Sequence, residues 1–389
     1  MKNAVLLAYP FRVFFLLGGL YGSILALLWI GMLFWGWSAP ALVNPLRWHA
    51  HEMLFGLVPA IVAGFLLTAI CAWTGCQPIR NGRLLALALL WLAGRVAPWV
   101  PGCPPFVYLA IDLLFLAALT VYVAYIVLST NNRRNMVMAV VMAFYLGANA
   151  LFHLDLTGIW PGMARSGELM AIYIILLLMV IIGGRITPAF TANWLERTGG
   201  QRNWVRQWPV INVLAILFTA LLIPVAWLGI TDLLAVFALA AALFNGIRLA
   251  GWGGQHCLRE PLFWILHLGY AWIVAALLLK GLSYWVPGIS QVLWIHAAGV
   301  GAMGTLILGV MTRVALGHTG RPMVLPGGAV WIYALITASA VLRLLSTLGW
   351  AGYQWPLTLS AVLFSLAFAW FTVLYWPILS QPRVDGKPG

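Results

Sequence analysis

The chain has 389 residues, of which 63% are hydrophobic and only 7% are charged. Because soluble domains carry about a quarter of charged residues, this composition excludes a soluble enzyme or binding domain and predicts a polytopic membrane protein. The net charge of +13 does not indicate a nucleic-acid partner, since Lys and Arg lie in short loops beside apolar segments, where they set topology and contact lipid headgroups.

Apolar segments of about 20 residues, each long enough to cross a bilayer, follow one another along the chain and leave no block for a soluble domain. We therefore predict an all-α membrane helix bundle that forms a single domain over residues 1–389. Breaks rich in Gly, Pro or Asn separate the helices, and the longest connection runs from Thr191 to Trp208. The predicted transmembrane helices cover residues 12–36, 49–73, 83–100, 106–128, 136–156, 168–188, 209–229, 232–251, 261–284, 291–314, 328–348 and 355–379.

The basic residues predict the orientation of these helices. With the N-terminus inside, the inner segments hold 16 Lys and Arg and the outer segments hold 4. Since Lys and Arg concentrate on the cytoplasmic side, we predict that both termini are cytoplasmic. Met1-Lys2-Asn3 leads into the first helix without a small-residue cleavage site, which predicts a retained helix rather than a signal peptide.

Four histidines fall near the outer ends of predicted helices. His49 and His51 begin one inward-running helix, His296 begins another, and His153 lies near the outer end of an outward-running helix. Ionisable groups at membrane depth are usually functional, and imidazole there ligates a metal or haem, relays a proton, or hydrogen-bonds a neighbouring helix. We expect these four histidines to share one level near the outer face.

The residues around His49 leave two interpretations open. Gly56 lies seven residues after His49 and shares its helix face, so a small side chain there would leave room for a porphyrin ring. Alternatively, Gly56, Ala60 and Gly64 form a small-residue contact between helices. His49 and His51 are about 200° apart on a regular helix, which favours one metal site for each histidine.

The charged residues near these histidines are compatible both with a porphyrin site and with a contact between helices. Glu52 follows His49 by three residues and could hydrogen-bond it, and Arg47 could contact a haem propionate. Arg95 and Asp112 fall in the outer halves of adjacent predicted helices, where we expect a structural ion pair.

An offset of 245 residues reveals a weak internal similarity. It aligns His51 with His296, Gly56 with Gly301 and Gly64 with Gly309, and gives five identities among the 25 positions from 51 to 75. This predicts that the two helices enter the membrane alike. Transporters also contain internal repeats, so the similarity does not by itself select a function.

Three motifs, in segments 49–56, 183–188 and 296–321, resemble the NnrS family over most of the chain. The resemblance implies a multi-pass protein of the bacterial inner membrane that contains haem and copper. It also implies a role in nitric oxide metabolism and resistance to nitrosative stress in denitrifying and related bacteria. The family-motif residues in this sequence are His49, His51, Glu52, Arg185, His296, Arg313, His318 and Arg321.

We therefore predict a haem- and copper-containing protein that handles nitric oxide. Its haem would have His51 and His296 as axial ligands, with Arg47 and Gly56 also at the cofactor. His49, with His153 as a possible partner, would hold copper or a second haem, while any catalytic residues and redox partner stay unidentified. The alternative is a secondary transporter of a small solute, although the predicted helices contain few acidic residues suited to cation coupling, chiefly Asp112 and Glu52.

Overall fold

The computed structural model describes residues 5–349 and 352–387, which form helices and connecting loops without a β-strand. The all-α prediction is confirmed, whereas Met1-Lys2-Asn3 lies outside the described residues. The twelve helices are α1 Pro10–Phe34, α2 Pro45–Thr74, α3 Asn81–Val96, α4 Pro105–Ser129, α5 Met136–Leu156, α6 Ala164–Arg197, α7 Pro209–Trp227, α8 Thr231–Gly251, α9 Pro261–Leu282, α10 Gln291–His318, α11 Val330–Leu348 and α12 Gln354–Ser380.

Eleven of these described helices are long and apolar enough to cross a membrane, which confirms a multi-pass membrane protein. The exception is α3, which has 16 residues. The predicted end of α6 at residue 188 is wrong, because the helix continues through Pro188 to Arg197. Proline is tolerated inside membrane helices, where neighbouring groups satisfy the freed backbone. The connection to α7 therefore begins at residue 198 rather than at Thr191.

The chain folds into two compact units. The first comprises residues 1–171, 311–323 and 368–389, and the second comprises residues 172–310 and 324–367. The first unit thus contains α1 to α5, the first turns of α6 and the last parts of α10 and α12. The second unit contains most of α6 and α10 and the whole of α7, α8, α9 and α11. The single-domain organisation stays a prediction.

Small residues let α1 and α2 pack closely within the first unit. A Cβ atom at Gly64 would lie 2.9 Å from the Phe15 ring, and one at Gly18 would collide with Ile61. The small-residue interpretation of this stripe is therefore confirmed for Gly64, which is a contact between helices.

The second unit repeats this packing between α9 and α10. A Cβ atom at Gly309 would lie 3.2 Å from Ile265, and one at Gly269 would lie 2.7 Å from Leu306. The offset of 245 aligns Gly64 with Gly309 and Ile61 with Leu306. The α2 and α10 partners of these contacts therefore stand at aligned positions, and both helices pack through a glycine against the preceding long helix.

A local widening of the helix follows the aligned histidine in each unit. The π-helical segment Glu52–Leu57 begins directly after His51 in α2, and Ala297–Gly304 begins directly after His296 in α10. Such turns are rare and occur frequently at functional sites. They change the rotation of the helix just below the histidine, so the side chains that follow do not keep regular helical positions.

Candidate metal centre

Three buried side chains of the first unit converge on one point. His51 of α2, Asp112 of α4 and His153 of α5 each offer a ligand atom, and these atoms lie within 4.8 Å of one another. Asp112 Oδ2 lies 2.9 Å from His153 Nε2 and 3.3 Å from His51 Nε2. We call these three residues the His–Asp–His cluster.

Helix direction explains why the cluster forms. His51 lies in the first two turns of α2, Asp112 in the second and third turns of α4, and His153 in the last turn of α5. The prediction that His51 and His153 share a level is confirmed, because their ring centroids are 5.3 Å apart. Sequence reasoning missed Asp112 as a member, although a carboxylate inside a predicted membrane helix was the available signal.

Arg95 of α3 connects the two buried carboxylates beside the cluster. Its Nη1 lies 2.5 Å from Glu52 Oε2, and its Nη2 contacts Asp112 Oδ1. The predicted ion pair between Arg95 and Asp112 is therefore confirmed. Tyr21 donates a hydrogen bond to Glu52, and Asn149 Nδ2 donates to Asp112 Oδ2 over 2.8 Å. Each carboxylate is thus held by both a charged and a neutral donor.

The charges of these contacting groups do not balance. Glu52 and Asp112 contribute two negative charges and Arg95 one positive charge, so the group carries −1 when both imidazoles are neutral. An uncompensated buried charge is strongly unfavourable. A proton on an imidazole or a bound cation must therefore complete the site.

The contacts of His51 show that its ring is the place where a proton or a metal ion can supply the missing positive charge. Its Nδ1 lies 3.1 Å from Glu52 Oε1, and its Nε2 lies 3.2 Å from Asn149 Oδ1 and 3.3 Å from Asp112 Oδ2. Because both nitrogens face oxygen acceptors, the ring either carries two protons or gives Nε2 to a metal ion. Tyr108 Oη also lies 3.2 Å from Nδ1, which leaves Nε2 as the nitrogen that faces the cluster.

The residues present fit a single metal ion. Two imidazoles and one carboxylate form a donor set that copper, iron and zinc ions accept, and His153 Nδ1 has no hydrogen-bond partner among the described residues. They do not fit a macrocycle at His51, because its ring centroid lies 4.4 Å from that of Phe152 and 5.3 Å from that of Phe55. Side chains therefore occupy the space that a porphyrin would need.

A search of curated proteins finds no match to this chain. The sequence profile described as NnrS protein matches residues 5–383, nearly the whole chain. The chain belongs to the NnrS family. This NnrS-family chain is thus a multi-pass membrane protein with a buried His–Asp–His cluster that could hold a metal ion.

Two predicted site residues of this NnrS chain, Gly56 and Arg47, are not members of the cluster. The space at Gly56 is not open, because a Cβ atom there would lie 2.5 Å from Arg95 Nη1 and 2.6 Å from Glu52 Oε2. The predicted room for a porphyrin ring at Gly56 is therefore wrong: a buried guanidinium fills it. Arg47 lies 3.5 Å from Asp155, and its side chain is 45% exposed.

The other histidine of this NnrS motif, His49, faces away from the cluster. Its ring stacks on the Trp29 indole of α1, with centroids 4.1 Å apart and planes 17° apart. The Glu52 carboxylate, which we expected at His49, lies between His51, Arg95 and Tyr21. His49 and His51 thus lie in separate surroundings, as expected for side chains two residues apart, which leave a helix in different directions.

His296 belongs to the second unit. Its Nδ1 donates to the Val292 carbonyl over 2.9 Å, and its Nε2 accepts from Arg343 Nη2 over 2.9 Å. Arg185 lies in the interior of α6 because that helix runs on to Arg197, so its predicted place at a helix end is wrong. The pairing of His51 with His296 on one haem stays a prediction.

The last NnrS-motif residues lie in the last turns of α10 and directly after it, beside the C-terminal end of α12 in the first unit. Arg321 Nη1 lies 3.5 Å from the Ile378 carbonyl, and the His318 carbonyl accepts from Arg383 Nη1 over 2.8 Å. Arg313 is buried in the same part of α10. Cations at the C-terminus of a helix stabilise its free carbonyls, so this motif has a structural role beside any other.

Proposed function

We propose that this chain binds a copper ion at the His–Asp–His cluster and that its ligand there is nitric oxide, in a protein of the nitrosative-stress response. The supporting observation is a buried site with one excess negative charge that offers two imidazoles and a carboxylate. Membership of the NnrS family supports the link to nitric oxide. The basic-residue distribution supports a site near the periplasmic face of the bacterial inner membrane.

The residues of the site would have distinct roles. Glu52 holds Nδ1 of His51 and so directs Nε2 toward the metal position, which is how outer partners usually orient metal-binding histidines. Asn149 and Arg95 fix the Asp112 carboxylate, and Arg95 also reduces the negative charge. When bound, copper supplies one-electron redox chemistry and affinity for nitric oxide. The surrounding Phe and Tyr rings exclude water, while nitric oxide, being small and lipid-soluble, reaches the site from the bilayer.

Haem is the second cofactor of the proposal, with His296 as its protein ligand. The donation from Nδ1 to a backbone carbonyl is the usual orientation of a metal-binding histidine, and a Cβ atom at Gly299 would meet nothing within 4 Å. His51 is not a ligand of this haem, because protein side chains enclose its ring. Arg343 would have to release His296 Nε2 when haem binds.

Metal analysis of the purified full chain in detergent tests the copper site. We expect one copper per chain after loading, and loss of most of it in His153→Ala and in Asp112→Asn. His256→Ala is the matched control, because His256 is exposed and stacks on Trp204 instead. Equal copper in the wild type and both cluster variants, or no spectral change on adding nitric oxide to the loaded protein, would refute the proposal.

A pyridine haemochromogen spectrum tests the haem assignment separately. His296→Ala should lose most haem, whereas His256→Ala should retain it. If His51→Ala loses as much haem as His296→Ala, the original pairing of the two histidines is favoured over our assignment. A colourless, folded protein without haem or copper would favour the transporter alternative.

A further inference from the structure

The second unit contains a buried arginine in the helix that follows its repeated pair, three residues after Ala340, with which Arg95 aligns at the offset of 245. Arg95 lies in α3, the helix after the repeated α1 and α2. Arg343 lies in α11, the helix after α9 and α10, and is only 5% exposed. Just as Arg95 contacts the residue that follows His51, Arg343 contacts His296, the histidine aligned with His51.

The contacts of Arg343 are all neutral. Its Nη1 lies 3.1 Å from Ser346 Oγ and 2.9 Å from Thr347 Oγ1, and its Nη2 lies 2.9 Å from His296 Nε2. His296 uses its Nδ1–H for the Val292 carbonyl, so its Nε2 is an acceptor and the ring is neutral. The guanidinium therefore keeps one full positive charge among groups that cannot neutralise it.

The acidic residues of the second unit lie elsewhere. They are Glu196, Asp232 and Glu260. Glu196 pairs with Arg202 on an exposed surface, Asp232 is exposed in the first turn of α8, and Glu260 caps the start of α9. No carboxylate of residues 172–310 and 324–367 thus contacts Arg343 in the part of the chain that the structure describes.

The repeat shows which counter-ions are absent. Glu52, which contacts Arg95, aligns with Ala297 at the offset of 245. Asp112, the second partner of Arg95, aligns with Leu357 at the same offset. The second unit therefore has a histidine and an arginine in contact and lacks both carboxylates at the aligned positions.

We infer that Arg343, held in place by His296, forms an anion-binding site for a small planar monovalent oxyanion, of the carboxylate or nitrite class. A guanidinium binds two oxygens of such an anion in one plane, and a buried cation without a counter-ion favours one strongly. His296 is only half-buried near the start of α10, which gives the site a route of entry. The inference depends only on residues of the second unit and concerns the chain without haem, because haem at His296 would take the Nε2 that holds Arg343. It is therefore independent of copper at the His–Asp–His cluster.

Thermal unfolding of the purified, metal-free full chain in detergent tests this site, with formate and nitrite as probes. At constant ionic strength, the unfolding midpoint of the wild type should rise saturably with formate and with nitrite, but not with chloride. Arg343→Gln should lose the rise. The control Arg134→Gln should keep it, because Arg134 is exposed in the loop before α5.

If Arg343→Gln does not fold, a second variant, Ala297→Glu, tests the anion site in its place. Ala297→Glu restores the carboxylate that the first unit has at the aligned position, so it should supply an internal counter-ion and reduce the affinity for formate at least tenfold. The inference is overturned if the wild type responds equally to formate and chloride. It is also overturned if either Arg343→Gln or Ala297→Glu responds to formate as the wild type does.

Discussion

Substituting Arg95 by Met tests the charge balance of the His–Asp–His cluster. The methionine roughly keeps the side-chain volume and removes the guanidinium that contacts Glu52 and Asp112. The contacting groups then change from one excess negative charge to two. Because all of these side chains are buried, solvent screens the change very little.

The expected cost follows from the burial of the pair. Removing one partner of a buried ion pair costs about 3–5 kcal/mol, because it leaves an uncompensated charge. Glu52→Gln alone should cost only about 1–2 kcal/mol, since Arg95 still pairs with Asp112. In the double variant the excess charge returns to one, so its cost should be lower than the sum of the single costs by about 1–3 kcal/mol.

Equilibrium unfolding in mixed micelles, with SDS as the denaturant, measures these free energies for the wild type and the three variants. Addition of copper should stabilise Arg95→Met more than the wild type, because a cation offsets the added negative charge. Two results together would refute this charge balance: the cost of the double variant equals the sum of the two single costs, and copper stabilises Arg95→Met and the wild type equally. Arg83→Met is a matched control, since Arg83 is an exposed arginine at the other end of α3.

Two further predictions concern the packing of the first unit and its C-terminal segment. Gly64→Val should lower the free energy of unfolding by about 1–3 kcal/mol, because its side chain would overlap the Phe15 ring; Gly82→Val, at an open position in α3, should cost less. The Arg383 guanidinium lowers the pKa of Asp385 from 3.8 to about 2, so the ionised pair adds stability above pH 4 that is lost as the pH falls toward 2. The rate at which pepsin cleaves the segment after α12, divided by its rate on an unstructured peptide at the same pH, should therefore be higher at pH 2 than at pH 4. Asp385→Asn should remove most of that difference, and an unchanged pH dependence in this variant would contradict the role of the pair.

Much of the fold could be predicted from the sequence because lipid allows few alternatives. A membrane-spanning segment must satisfy its own backbone hydrogen bonds, so apolar length located the eleven described helices that are long enough to cross a membrane. The error at α6 has a physical cause. Pro188 ends a helix in most soluble contexts, but a proline is tolerated inside a membrane helix and this helix continues to Arg197.

The site could be predicted only in part. Helix direction placed His51 and His153 at one level, but it did not give the rotation of each helix about its axis. That rotation decides whether the Asp112 carboxylate faces lipid or the histidines. In α2 the π-helical turn after His51 shifts the rotation further, which is why Gly56 faces Arg95 instead of an open space below His49.

The two repeated arrangements differ in charge, and this difference argues for two kinds of ligand. The histidine and arginine are common to both, but the first unit adds Glu52 and Asp112, while the second has Ala297 and an apolar stretch at the corresponding places. With neutral imidazoles, the first site carries −1 and the second carries +1. A buried excess charge of either sign favours a ligand of the opposite sign. The two proposed sites are thus the ones that these charges favour, a cation site in the first unit and an anion site in the second.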